Sequence, residues 1–169
     1  MMIKPFFRNL LIALLLIVNI GCDQVTKIKV REGMETMEQI TVVKDILTLT
    51  KVENTGAFLS LGATWPNYLK AFLLIALPVV ALLLMLVYLV KNKSLSNLSV
   101  VGWSFVVGGG IGNIYDRIVY GSVTDFLHLD FGIFQTGIFN MADVSVMVGM
   151  CLVIFGSLAV QHPEKRASL

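Results

Sequence analysis

Residues 69–90 read LKAFLLIALPVVALLLMLVYLV, and this stretch determines the class of fold. A helix of roughly 20 apolar residues crosses the hydrocarbon core of a bilayer, and no charged residue follows Lys70 within this stretch. Pro78 lies inside it, but membrane helices tolerate proline because neighbouring groups satisfy the freed backbone carbonyl. The stretch therefore predicts a transmembrane helix.

Three other stretches, of about 17 to 22 residues, are also mainly apolar, namely residues 6–22, 98–119 and 139–160. The chain of 169 residues is 56% hydrophobic and 14% charged, with a mean hydropathy of +0.82, which argues against a water-soluble fold. The formal net charge is only +2 and forms no long run, so we expect no nucleic-acid partner. We predict an all-α membrane protein, residues 1–169, with four transmembrane helices in a single domain.

Lysine and arginine in the short flanks of these helices predict their orientation, because cytoplasmic flanks carry an excess of positive charge. The clusters lie before the first helix, between the second and third, and after the fourth: Lys4 and Arg8; Lys91 and Lys93; Lys165 and Arg166. We therefore expect both termini in the cytoplasm. The segments 28–67 and 117–138, where acidic residues balance basic ones, are expected on the other side.

The first of these outer segments, about 28–67, is too long for a turn. Within it, residues 40–43 and 46–52 are rich in β-branched side chains and partly alternate between apolar and polar. We predict a small extracytoplasmic β-sheet between helices 1 and 2.

Polar residues gather at the outer ends of the predicted helices. They are Asp23, Lys27, Asn113, Asp116, Arg117, Asn140 and Asp143, with Asp125 a few residues beyond the third helix. Ionisable groups at membrane depth are costly, so such a gathering is a functional-site hypothesis. Each group also has a structural interpretation: an i,i+4 ion pair at Asp23, a polar helix end at Asn113, a helix cap at Asn140, and a turn at 54–56.

Few other residues suit catalysis. The sequence has no HExxH or GxSxG motif, and its two histidines, His128 and His162, are expected on opposite sides of the membrane. We therefore expect no metal and no cofactor. Two neighbouring carboxyl groups such as Asp125 and Asp143 would share a proton and act as general base and general acid.

Five motifs, in order along nearly the whole chain, resemble the lipoprotein signal peptidases (signal peptidase II) of bacteria. They are DQVTK at 23–27, NTGAF at 54–58, GGIGNIYDR at 109–117, VTDF at 123–126 and FNMAD at 139–143. The resemblance implies an aspartic endopeptidase of the cytoplasmic (inner) membrane whose active site lies at the extracytoplasmic face. It also implies that Asp125 and Asp143 form the catalytic dyad.

The same resemblance implies roles for eight further residues in substrate binding or in support of the dyad: Asp23, Lys27, Asn54, Gly56, Asn113, Asp116, Arg117 and Asn140. The implied substrate is a prolipoprotein with a diacylglyceryl-modified cysteine, cut on the amino side of that cysteine. Membrane lipid is the other expected partner, and we expect a monomer. The alternatives are a small transporter that relays protons or cations, and a lipoprotein lipidated at Cys22.

Overall fold

The computed structural model describes residues 5–57 and 60–161. In this part of the chain four helices are long and apolar enough to cross a membrane, which confirms the predicted architecture. They are α1 (Pro5–Gly33), α2 (Asn67–Lys91), α3 (Asn97–Tyr120) and α4 (Met141–Gln161). Five residues used in the predictions lie outside the described residues: Lys4, Phe58, His162, Lys165 and Arg166.

The predicted end of the first helix at Cys22 is wrong, because α1 continues to Gly33. At 1.5 Å per residue its 29 residues span about 43 Å, more than the hydrocarbon core of roughly 30 Å. Asp23 and Lys27 form the predicted i,i+4 ion pair, but both are fully buried instead of lying at a helix end. They are satisfied by partners on other helices, so the helix does not have to end where its charges begin.

Helix α2 has a π-helical turn near its start and hydrogen bonds from an α1 side chain at its other end. Residues Ala71–Ala76, near its start, form a π-helical turn. At its other end the guanidinium of Arg8 donates to the carbonyl oxygens of Leu89 (2.6 Å) and Asn92 (2.8 Å). Since the last carbonyls of a helix have no partner within the helix, Arg8 completes the end of α2 and joins it to α1.

The predicted small sheet is present, with one strand more than expected. It contains β1 (Gln39–Val43), β2 (Leu47–Asn54) and β3 (Val123–Leu129), antiparallel in the order β1-β2-β3. Two strands lie between helices 1 and 2 as predicted, but β3 comes from the segment between α3 and α4. This third strand was missed because its partner, β2, is distant in sequence.

The sheet packs on the part of α1 that extends beyond its apolar stretch. Val30 of α1 and Met34, the residue just after α1, form a buried cluster with Phe126 of β3, and Leu49 of β2 packs against it. The extension of α1 thus supplies the apolar surface that fixes the sheet above the helices.

Glycines let α3 lie close to α4. A Cβ atom added at Gly102 would lie 2.7 Å from the carbonyl oxygen of Gly149, and one added at Gly149 would lie 2.6 Å from that of Gly102. Small residues at such crossings allow close backbone contact between membrane helices. This contact brings the start of α4 next to the last third of α3.

Candidate active site

The register of the sheet places Asn54 beside Asp125. Val52 lies opposite Asp125 in the β2–β3 pairing, and Asn54 is two residues further along β2, on the same face. The Asn54 Nδ2 atom donates to Asp125 Oδ2 at 3.0 Å. Asn54 also accepts from the backbone N–H of Gly56 at 2.9 Å, which confirms the predicted turn.

The chain returns beside β3 before α4 begins. The backbone N–H groups of Phe126 and Leu127 donate to the carbonyl oxygen of Phe139, at 2.9 and 2.7 Å. This contact places the next residue, Asn140, against the sheet, where its Nδ2 donates to Asp125 Oδ1 at 2.6 Å. Both oxygens of Asp125 therefore accept a hydrogen bond from an asparagine.

Asn140 also caps α4, as predicted. Its Oδ1 accepts from the backbone N–H of Asp143 at 3.0 Å, and Asp143 Oδ2 accepts from the backbone N–H of Asn140 at 3.1 Å. This reciprocal arrangement is a capping box with asparagine and aspartate. The cap holds the Asp143 carboxyl group on the side of α4 that faces Asp125, so the structural and functional interpretations of this pair are compatible.

Asn113 of α3 completes the hydrogen bonds of Asp143. Its Nδ2 donates to Asp143 Oδ1 at 2.8 Å, while its Oδ1 accepts from Asn140 Nδ2 (3.1 Å) and from Lys27 Nζ (3.0 Å). Asn140 thus donates to both carboxyl groups, Asn113 bonds Asn140 and Asp143, and Asn54 contacts Asp125 alone.

Asp125 lies outside the membrane-spanning helices but is only 4% exposed. The pKa of its carboxyl group is raised to about 6: burial is the main cause and the charge of Asp143 adds to it, while hydrogen bonds from Asn54 and Asn140 oppose the rise. A carboxyl group with such a pKa can hold or release a proton near neutral pH, which acid–base catalysis requires.

A cavity of about 420 Å³ contains both carboxyl groups. One side is polar, with Asp125, Asp143, the three asparagines and Arg117; the other is formed by apolar residues of α2, among them Leu73, Leu74, Pro78 and Leu82. The guanidinium of Arg117 donates to the carbonyl oxygen of Gly56 at 2.9 Å. A Cβ atom at Gly56 would lie 2.6 Å from the backbone of Ser60 and Leu61, so this turn requires glycine.

A second polar cluster lies next to these residues and includes neither Asp125 nor Asp143. Lys27 Nζ lies 2.8 Å from Asp23 Oδ2 and 3.1 Å from Asp116 Oδ2, and all three side chains are fully buried. Arg31 contacts Asp116 at 2.8 Å. Asp23 Oδ1 accepts from the backbone N–H of Ala142 at 2.9 Å, so this cluster joins α1, α3 and the start of α4.

Residues 14–159 match the family model described as signal peptidase (SPase) II. The chain belongs to the signal peptidase II family. This confirms the resemblance that the five motifs indicated, and it makes the chain an aspartic endopeptidase of the lipoprotein signal peptidase type.

The chain is similar to lipoprotein signal peptidases of several bacteria over most of their length. The chain is 36% identical over 152 residues to the lipoprotein signal peptidase of Maridesulfovibrio salexigens, covering 87% of this chain and 94% of the relative. It is 34% identical over 144 residues to that of Halothermothrix orenii, covering 85% and 92%. The lipoprotein signal peptidase of Pasteurella multocida is 32% identical over 146 residues, with 85% and 87% covered.

Two solved structures of bacterial membrane enzymes share the fold. One, solved by the in meso method at 2.3 Å, has a TM-score of 0.80 and 24% identity, with 90% of each chain covered. Another, at 1.9 Å, has a TM-score of 0.75 and 25% identity, with 87% of this chain and 92% of that chain covered. These matches confirm a multi-pass membrane fold for this signal peptidase II chain.

Some residues of the charge cluster were missed by the sequence analysis. Arg31 pairs with Asp116, donates to Thr124 Oγ1 at 2.8 Å and stacks on Tyr120, with its guanidinium carbon 3.9 Å from the ring centre. Gln24 Nε2 bridges Asp23 and Asp116, at 3.0 Å from each. Asp23, Lys27 and Arg31 are spaced four apart, so they share one face of a helix, and this signal is visible once α1 is extended.

Proposed function

We propose that this chain removes the signal peptide from diacylglyceryl-modified prolipoproteins, cutting on the amino side of the lipidated cysteine. Asp125 and Asp143 are the proposed catalytic residues. The observation that carries the proposal is that Asn140 donates to both carboxyl groups and that both line one cavity. Two carboxyl groups held in this way suit the hydrolysis of an amide by water without a cofactor.

In the proposed reaction the dyad holds one proton. The ionised carboxylate takes a proton from water, whose oxygen attacks the scissile carbonyl carbon, while the protonated partner gives its proton to the carbonyl oxygen. Collapse of the tetrahedral intermediate breaks the C–N bond: the carboxyl group that took the water proton gives it to the leaving amine, and the other carboxylate takes a proton from a hydroxyl of the intermediate. The products are a carboxylic acid and an amine, and the dyad again holds one proton. The pair titrates as a unit, so the two roles belong to the pair rather than to one residue.

The supporting residues have distinct proposed roles. Asn54, Asn113 and Asn140 hold the carboxyl groups in position. Arg117 lines the cavity that receives the peptide, and its hydrogen bond to the carbonyl oxygen of Gly56 holds the adjacent turn. The cluster of Asp23, Lys27 and Asp116 holds the helices on which the dyad depends.

We further propose that the chain is a monomer and a single domain, with both termini in the cytoplasm and the dyad at the extracytoplasmic face of the bacterial inner membrane. The basic pair Lys91 and Lys93 supports this orientation, because it lies at the end of α2 opposite to the cavity-lining residues Leu73 and Leu74. A scissile bond tethered to lipid would then lie near the membrane surface, at the level of the dyad.

A cleavage assay on a lipidated prolipoprotein tests this function. The assay compares the native chain with Asp125→Asn and Asp143→Asn, all purified in detergent. Asp45→Asn is the matched control, because Asp45 is exposed and asparagine tolerates its positive φ of 58°. We expect cleavage by the native chain and the control, and none by either dyad variant. Near-native cleavage by Asp125→Asn or Asp143→Asn would refute the dyad, and a native chain that conducts protons but cleaves nothing would favour the transporter.

A further inference from the structure

A second cavity, of about 280 Å³, lies between α2 and α3, and no part of the proposed catalytic mechanism uses it. No charged residue lines it. Its lining includes the aliphatic residues Leu82, Leu83 and Leu86 of α2 and Val107, Ile111 and Ile114 of α3.

This cavity is a groove with a buried floor and an open rim. Val107 is fully buried and Ile114 is 8% exposed, whereas Leu83 and Ile118 at the edges are 57% and 62% exposed. Along α3 the lining extends from Ile118 to Val107, a rise of about 16 Å. The groove is therefore long, narrow and apolar, and it opens on the outer surface of the helix pair.

The groove meets the catalytic cavity. Leu82 and Ile114 line both of them. Gly110 faces Leu82, and a Cβ atom there would lie 2.8 Å from Leu82 Cδ2. The missing side chain at Gly110 leaves room for Leu82 at the border, so the two spaces are separated there only by the apolar side chains of Leu82 and Ile114.

We propose that this groove binds one acyl chain of the diacylglyceryl group of the substrate. The proposal rests on the proposed function, because that function brings the lipidated cysteine to the dyad. The lipid is attached to the residue that follows the scissile bond, so its chains must leave the cavity close to Asp125 and Asp143. The groove offers an apolar path from there, and it runs along α3 towards Val107, into the depth of the membrane.

Two synthetic lipopeptides with the same peptide sequence test the groove, one with two palmitoyl chains and one with two butyryl chains. The full-length chain is compared with Leu86→Trp and Leu83→Trp, which place an indole in the groove. Leu84→Trp is the matched control, because Leu84 is 65% exposed and does not line the groove. The readout is kcat/KM for each lipopeptide.

We expect Leu86→Trp and Leu83→Trp to lower kcat/KM for the palmitoyl substrate by at least about tenfold, the loss that a small misfit in an apolar pocket produces. The butyryl substrate and Leu84→Trp should be unaffected. Equal effects on both substrates, or no effect on either, would overturn the proposal and leave the groove to bulk membrane lipid. Failure of the proposed function itself is a different result, since the native chain would then cleave neither substrate.

Discussion

Lys27 Nζ lies 3.0 Å from Asn113 Oδ1, and this contact fixes which way the Asn113 amide points. Because an ammonium group only donates, the amide oxygen must face Lys27 and the amide N–H must face Asp143. A lysine on α1 therefore orients a hydrogen bond to a carboxyl group on α4, although the two residues do not touch.

Lys27→Met should destabilise the protein and reduce cleavage. The change leaves Asp23 and Asp116 buried with less compensating charge, and breaking a buried ion pair costs about 3–5 kcal/mol. Thermal unfolding in detergent measures the loss. Lys29→Met is the control, because Lys29 is exposed on the same helix, and equal unfolding temperatures for the two variants would contradict the prediction.

Gly112→Ala should disturb the same cluster by overpacking. A Cβ atom at this position would lie 2.5 Å from Asp23 Oδ2 and 3.2 Å from Asp23 Cγ. We expect a loss of about 1–3 kcal/mol in the free energy of unfolding, the usual cost of an extra group in a filled core. Gly21→Ala has open space around its Cβ and should be neutral or slightly stabilising. A neutral Gly112→Ala would show that α1 and α3 can separate at little cost.

Activity should depend on pH through Asp125. With the pKa of Asp125 at about 6, the dyad loses its shared proton above that pH, so kcat/KM should fall as the pH rises through about 6. Asn54→Ala removes a hydrogen bond that lowers the pKa of Asp125, so the fall should move to higher pH. The pH profile of cleavage measures both. A profile that stays in place in Asn54→Ala would mean that another group controls it.

Arg8→Met should loosen the end of α2. Its guanidinium satisfies carbonyl oxygens of Leu89 and Asn92, and leaving such groups unpaired costs about 1–3 kcal/mol. Lys91→Met removes a positive charge from the same helix end, but Lys91 is exposed, so this control should unfold like the native chain. If both variants unfold at the native temperature, the contact with α1 contributes nothing to stability.

Some features of the site were predictable because they are local. The turn at Asn54 and the cap at Asn140 involve residues two or three apart, and the structure contains both. The polar face of α3 was predictable only in part. Asn113, Asp116 and Arg117 share one side of the helix, yet Asn113 contacts Asp143, Asp116 pairs with Lys27 and Arg31, and Arg117 reaches Gly56.

The three residues of α3 have different partners for a geometric reason. Residues three or four apart on a helix differ in direction by about 40–60°, as 3.6 residues make a turn. In the centre of a bundle that angle is enough to point neighbouring side chains at different helices. The sequence shows that these residues share a side of α3, but the packing of α1 and α4 around α3 selects the partner of each.

Local sequence is enough to predict the four membrane-crossing helices, most of the sheet and the polar residues of the site, because apolar length and residue spacing are properties of contiguous chain. Long-range packing, by contrast, determines that α1 continues to Gly33, that β3 joins the sheet, and that Asn140 bridges Asp125 and Asp143. Each of these depends on contacts between distant segments. A buried charge or amide is stable only with its partner, and the partner is supplied by packing.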